Sequence, residues 1–341
     1  MPATPSKALG SGDRIESETE LIQTYLAPLT RGAPGAFGLR DDAALISPEP
    51  GTDLVVTSDP IIAGVHFFRN DSPDDVAWKA LAVNASDLAA KGAKPLVYIL
   101  TLALPEAPAR EWMANFAEGL RTAQETFGCN LIGGDTDVTP GPLSIGITIM
   151  GSVPAGKFVP RQGAAKGDHV FVTGTIGDAA LGLAVRRDPS TFAKVLTDDE
   201  RAFLVDRYLR PRPRLALAET LRTHASAALD ISDGLLKDLS RLAGPLGFSL
   251  ELGTVPLSKA TQAALAHDHD VAQAILGGGD DYELLIAVTD ASVAGFTHGA
   301  EEVGIQVSDL GVLVPDAALK ALDLDGTPID VERFGYDHFS G

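Results

Sequence analysis

The sequence has one cysteine, Cys129. With no second thiol an intramolecular disulfide is excluded, and so is a thiolate zinc cluster. That usage fits a reducing compartment, and the cytoplasm is the expected location. Basic side chains are scarce beside acidic ones, 27 against 46, for a formal net charge of −19. A nucleic-acid footprint is therefore missing, and no nucleic-acid partner is expected. No uncharged apolar run is long enough to span a bilayer, so no membrane partner is expected either. The N-terminus lacks a basic start followed by an apolar stretch, which argues against a signal peptide. Gly156-Lys157 is followed by Phe158 rather than Ser or Thr, so there is no Walker phosphate loop. A protein-kinase catalytic loop and a His-Glu-x-x-His metal helix are missing too.

The chain has 341 residues, 45% of them hydrophobic, enough for about two domains with cores of their own. Residues 1–13 read as a loose tail, and the Pro-, Gly-, Lys- and Ala-rich stretch 154–168 as the domain boundary. Before it, apolar spacing predicts helices over Glu18–Leu29, Pro73–Lys91 and Ala109–Phe127. Strands are predicted over Ala43–Ile46, Leu54–Thr57, Leu96–Leu104 and Leu143–Val153, with Asn130–Ile132 leading into Gly133-Gly134-Asp135. After it come helices over Asp178–Arg187, Leu215–Thr223 and Asp233–Leu242. Strands are expected over Asp168–Thr173, Ala227–Ile231, Ser249–Leu252, Leu284–Val288 and Asp309–Leu313. Alternating helices and strands in both halves argue for an α/β or α+β fold.

Aspartates beside small residues stand out at expected loop and strand-end positions. They occur in Arg40-Asp41-Asp42-Ala43, Thr57-Ser58-Asp59, Ser86-Asp87 and Gly133-Gly134-Asp135-Thr136-Asp137. Two more are Asp230-Ile231-Ser232-Asp233-Gly234 and Gly278-Gly279-Asp280-Asp281-Tyr282-Glu283. A lone aspartate in a turn is usually a cap. Six such segments point instead to hard oxygen ligands for magnesium, which keeps waters and phosphate oxygens in its octahedron. Gly133 and Gly134 would let the backbone approach a phosphate. Asp87 has two readings, a surface ion pair or part of a polar stripe with Asn84 on a buried helix. His66, inside an apolar run, reads equally as core or as site. His267-Asp268-His269-Asp270 reads as a solvated loop rather than a metal site, because adjacent helical residues do not share a face.

In chain order these segments resemble the thiamine-monophosphate kinase family. The resemblance takes in Lys79 to Ala90, Leu131 to Thr136, Val172-Thr173-Gly174, Arg210-Pro211 with Pro213-Arg214, and Gly335-Tyr336-Asp337-His338-Phe339. It implies a two-domain fold like that of aminoimidazole ribonucleotide synthetase, α/β (α+β), with mixed sheets and helices. An N-terminal domain over 14–153 would bind ATP and magnesium and pair across a homodimer, followed by a C-terminal α/β domain over 154–341. The implied reaction is in-line phosphoryl transfer from ATP to thiamine monophosphate, giving thiamine diphosphate, with several Mg2+ ions; a monovalent cation is left open. Carried over by motif, Asp42, Thr57, Ser58, Asp59, Asp87, Asp135, Asp230 and Asp233 are the implied metal ligands. Gly134, Asp135, Arg161 and Ser232 are the implied ATP contacts, and His66, Asp280 and Tyr336 the implied contacts to thiamine phosphate. Asp59, Asp135, Asp233 and Arg161 are the implied catalytic set. The chain departs from the family pattern at Arg40, Lys91, Asp137 and Asp280, where Gly, Met, Thr and Glu respectively are usual. Two alternatives stay open: aminoimidazole ribonucleotide synthetase itself, and a non-catalytic acidic protein that binds a nucleotide or calcium.

Overall fold

The computed structural model describes residues 9–315, 318–329 and 335–336. It divides into two units, Met1–Leu88 with Lys94–Ala155, and Ala89–Ala93 with Gly156–Gly341.

In the first unit Ser17 caps the single turn α1 (Glu18–Leu21), its hydroxyl accepting from the Glu20 N–H. The chain then changes type, to a π turn over Ile22–Leu26 and a 3₁₀ turn over Ala27–Thr30. Pro28 explains why the expected single helix tightens here, since it removes a backbone donor. Within the stretch expected as a tail, Leu9 is fully buried and its carbonyl accepts from the Ala109 N–H, while Ser11, Gly12 and Asp13 are exposed.

The strands and longer helices that follow are β1 (Thr52–Ile62), α2 (Pro73–Ala90), β2 (Lys94–Leu104), α3 (Arg110–Phe127), β3 (Asn130–Val138) and β4 (Ser144–Pro154). The sheet runs β1-β4-β2-β3, antiparallel except for the β2–β3 pair. Alternation sets its faces. Tyr98, Leu100, Leu102 and Leu104 of β2 are buried with Ile145, Ile147 and Ile149 of β4. The Tyr98 hydroxyl bonds to Gln124 of α3, and Thr57 of β1 bonds to Asp87 of α2, so both helices lie on that face. The other face carries Leu54, Val56, Ser58, Thr148 and Thr101, with Val56 58% exposed. α3 ends at Gly128, whose φ of 76° suits a glycine cap. Cys129 follows in the core, and burial pushes its thiol up to about 12.

Three strand expectations that bear on the site change. Ala43–Ile46 forms no strand; Leu45 is 62% exposed and donates one backbone bond, to Gly35. β1 and β3 are longer than expected, so Asp59 and Asp135 sit within strands rather than at strand ends.

The second unit contains β5 (His169–Thr173), α4 (Asp178–Arg187), α5 (Asp198–Leu209), α6 (Ala218–His224), β6 (Ala225–Asp230), α7 (Leu235–Ala243) and β7 (Ser249–Glu251). It continues with α8 (Lys259–His267), α9 (Val271–Gly277), β8 (Leu284–Val288), α10 (Val293–Glu302), β9 (Val307–Val312) and β10 (Lys320–Leu322). An antiparallel sheet runs β6-β8-β5-β9, and β7 and β10 form a small parallel pair. All five residues of β8 are buried, as a central strand covered on both faces requires. Leu285 and Ala287 join a core with Leu181, Leu239 and Ile275, while Leu284, Ile286 and Val288 join Leu221 and Phe296.

Candidate functional site

In the first unit the expected site residues lie in two groups. The first joins β1 to α2. The Thr57 hydroxyl donates to Asp87 Oδ2 at 2.5 Å. Asn84, fully buried, accepts from the Asp59 N–H at 2.8 Å and donates to the Asp59 carbonyl at 3.2 Å. The stripe of buried Asn84 and half-buried Asp87 therefore faces β1, and Asn84 fixes the backbone at Asp59. Ser58 points to the other face, where its hydroxyl bonds to Thr148 at 2.8 Å. Beyond β1, His66 Nδ1 accepts from the Ile62 N–H at 3.0 Å, which leaves the proton of a neutral ring on Nε2. Lys79, buried in α2, donates to the His66 carbonyl.

The second group lies on β3. Gly134 has a φ of 156°, and a Cβ there would collide with the Leu100 carbonyl, so only glycine allows this approach. Asp135 follows, exposed and in register with Thr101. The Asp42 loop runs beside this strand, since a Cβ on Gly133 would meet Ala44 at 3.9 Å. Asp59 and Gly134 are level across the sheet through Ile147 and Leu100. Three strand spacings, about 14 Å, thus separate the two groups within one chain.

In the second unit the residues converge on the turn after β6. Asp230 is buried at the strand end. Asp233 Oδ2 pairs with Lys237 at 3.1 Å and Arg241 at 2.7 Å. Asp238, buried in α7, accepts from the N–H groups of Asp233 and Gly234 and pairs with Arg241. Burial pushes the Asp238 carboxyl up to about 6, against the pull of the Asp233 N–H and Arg241. The Asp280 N–H donates to the Ser232 carbonyl at 3.0 Å, and the Tyr336 N–H to the Asp233 carbonyl at 2.9 Å. Lys237 also donates to the Tyr336 carbonyl. Ser232, Asp233, Asp280 and Tyr336 are thus neighbours through the backbone.

Arg161 is exposed and stands apart from them. Pro160 bonds to Ala228 of β6, and Gly163 closes on Ser226, so the segment runs away from the Asp230 end. Asp337, His338 and Phe339 lie outside the described residues. His267 to Asp270 are exposed. Sequence reading missed Lys237, Asp238 and Arg241. Lys237 and Arg241 carry a readable signal, one helical turn apart on α7, with Asp233 just before the helix to pair with both.

Among the described residues no group of three or more His, Cys, Asp or Glu is placed to hold a metal. Magnesium does not need one, since it is usually held by one or two carboxylates plus substrate phosphates. The all-oxygen set of Thr57, Asp59 and Asp87, with Asn84 fixing the backbone, fits that pattern.

Two family profiles match the chain, AIR synthase related protein, N-terminal domain, over residues 40–153 and its C-terminal domain over 165–323. The class is thus an AIR synthase related protein with a mixed α/β fold. A thiamine-monophosphate kinase of Caulobacter vibrioides is 38% identical over 94% of this chain and 91% of that protein. The crystal structure of thiamine-monophosphate kinase from Stenotrophomonas maltophilia superposes with a TM-score of 0.76 at 36% identity, covering 85% of this chain and 90% of that one. AaThiL complexed with AMPPCP and TMP gives a TM-score of 0.73 at 28% identity, covering 99% and 100%. The chain belongs to the thiamine-monophosphate kinase family. It is an enzyme, a kinase. Among its described residues no helix is long and apolar enough to cross a membrane.

Proposed function

We propose that the chain phosphorylates thiamine monophosphate to thiamine diphosphate with ATP as donor. The observation that carries this is near full-length similarity to thiamine-monophosphate kinases, including a relative solved with AMPPCP and TMP. The acceptor supplies its own nucleophile. The second pKa of a phosphate monoester is about 6, so at neutral pH its oxygens are mostly ionised. A phosphate oxygen attacks the γ-phosphorus, a new P–O–P bond forms, and ADP leaves with the electrons of the broken bond. No general base is required. The protein's task is to align two anions that repel each other.

Asp42, Thr57, Ser58, Asp59, Asp87, Asp135, Asp230 and Asp233 are the residues that would hold magnesium. When bound, magnesium neutralises phosphate charge. Asn84 orients Asp59 through its backbone, and Thr57 keeps Asp87 turned toward β1. Gly134 frees backbone for phosphate, with Asp135, Ser232 and Arg161 as further nucleotide contacts. His66, Asp280 and Tyr336 would contact thiamine phosphate, with Asp280 placing a carboxylate toward the cationic thiazolium. The functional unit is a homodimer, with domains over 14–153 and 154–341. The open face of the first sheet, with exposed Leu54 and Val56, supports pairing with a second copy.

The test is direct. Protein incubated with ATP, magnesium and thiamine monophosphate should yield thiamine diphosphate, and chelation should stop it. Asp59→Asn and Asp135→Asn should each lower kcat about 100-fold or more while the circular dichroism spectrum stays native. Full activity in both would remove the assigned metal site.

A further inference from the structure

Several segments singled out in the sequence have no part in the reaction as described: Thr173-Gly174, Arg210 to Arg214, and Asp281 to Glu283. In the fold they close on one carboxylate. Glu283 is fully buried. Its Oε2 accepts from the Thr173 hydroxyl at 2.6 Å and Arg214 Nε at 2.6 Å. Its Oε1 accepts from buried Arg207 at 2.8 Å, and a second Arg214 nitrogen completes a fork. A Cβ on Gly174 would strike both Glu283 and Arg214, so the close approach depends on that glycine.

Asp281 is a second anchor, two residues earlier. Also fully buried, it accepts from the N–H groups of Gly177 at 2.8 Å and Ala179 at 3.3 Å, at the start of α4. The residues beside it are not relaxed. Asp280 has a φ of 72° and Tyr282 a φ of 50°, both left-handed; aspartate enters that region at modest cost, whereas for bulky Tyr282 it is strained. Bonds from the Asp280 N–H to Ser232, from the Tyr282 N–H to Ile231, and from the Ile231 N–H to the Glu283 carbonyl fix the backbone between. Side chains therefore alternate. Asp281 and Glu283 are sunk into the unit, and Asp280 and Tyr282 are half-exposed. Strain of this kind persists only where its surroundings over-determine it.

We propose that Glu283, gripped by Arg207 and Arg214, is a positioning residue for the acceptor subsite. It holds the strained segment Asp280–Tyr282 in the conformation that presents Asp280 to the thiazolium of thiamine monophosphate. This rests on the reading of the acceptor given above. Arg214 is the member to vary, because its side chain is 23% exposed and its loss leaves Arg207 on Glu283. Arg214→Met should raise KM for thiamine monophosphate about tenfold, the scale of a charged hydrogen bond, with KM for MgATP within about twofold of wild type. Arg214→Lys keeps the charge but loses the fork, and should recover part of that rise. Arg212→Met, which breaks only an exposed pair with Asp206, should match wild type.

A wild-type KM for thiamine monophosphate in Arg214→Met, even with a lowered melting temperature, would overturn the positioning role. So would equal rises in both KM values. Should Arg214→Met not fold, Arg214→Lys carries the test, and an unchanged KM there also overturns it. Wild-type protein that makes no thiamine diphosphate would instead remove the acceptor reading itself.

Discussion

Two buried carboxyls in the second unit should govern how stability responds to pH. Burial pushes Asp281 up to about 8 and neighbouring Asp178 adds to this, against the Gly177 N–H and Arg207. In the unfolded chain the group returns to its ordinary value of 3.8. Between these values the folded state binds more protons than the unfolded one, so stability falls as pH rises. Asp238 acts in the same direction, but only up to about 6. From pH 6 to 8 Asp281 is therefore the one of the two still titrating. Its steepest effect is about 1.4 kcal/mol per pH unit. Asp281→Asn stays neutral throughout and should flatten the fall of melting temperature over that range. Identical slopes in wild type and variant would mean that the start of α4 and Arg207 already hold the carboxylate ionised when folded.

At the scale of elements, α4 and α5 touch where neither has room to spare. A Cβ on Gly182 would run into the Leu204 carbonyl and lie 3.1 Å from the Tyr208 Cβ. Helix propensity alone favours alanine over glycine by about 1 kcal/mol. Overpacking should win here, so Gly182→Ala should lose about 1–3 kcal/mol in urea unfolding. A more stable variant would show the two helices to be less tightly apposed. α4 itself was legible to the residue, as was β8, because turn residues bound them and their apolar patterns are clear. α2 ends one residue short of its expected limit, between Pro73 and Gly92. By contrast α5 went unread although it opens on a Thr197–Glu200 capping box, a signal the sequence displays. Ala43–Ile46 failed because a short apolar run has no periodicity to judge. Asp59 and Asp135 were displaced to strand ends because aspartate is rare within strands, a preference that tertiary context overrides. For the candidate site, the aspartate segments could be read from composition and order. The grip on Glu283 could not, since its partners lie 69 to 110 residues away.

For the whole molecule, the sheet of the first unit is covered by helices on one face and shows Leu54 and Val56 on the other. If that face joins two copies, sedimentation should give twice the mass of one chain. Val56→Arg, which sets a charge on the joined face, should halve it and leave the fold intact. A wild-type protein that sediments as a single chain at micromolar concentration would end the pairing. Cys129 makes such work simpler. Its sulfur is sealed in the core and protonated at neutral pH, so thiol-directed dyes and spin labels should pass it by. A cysteine introduced at exposed Ala114 on α3 would then be the one reactive sulfur per chain, and the separation between two reporters could be measured with the native thiol left in place.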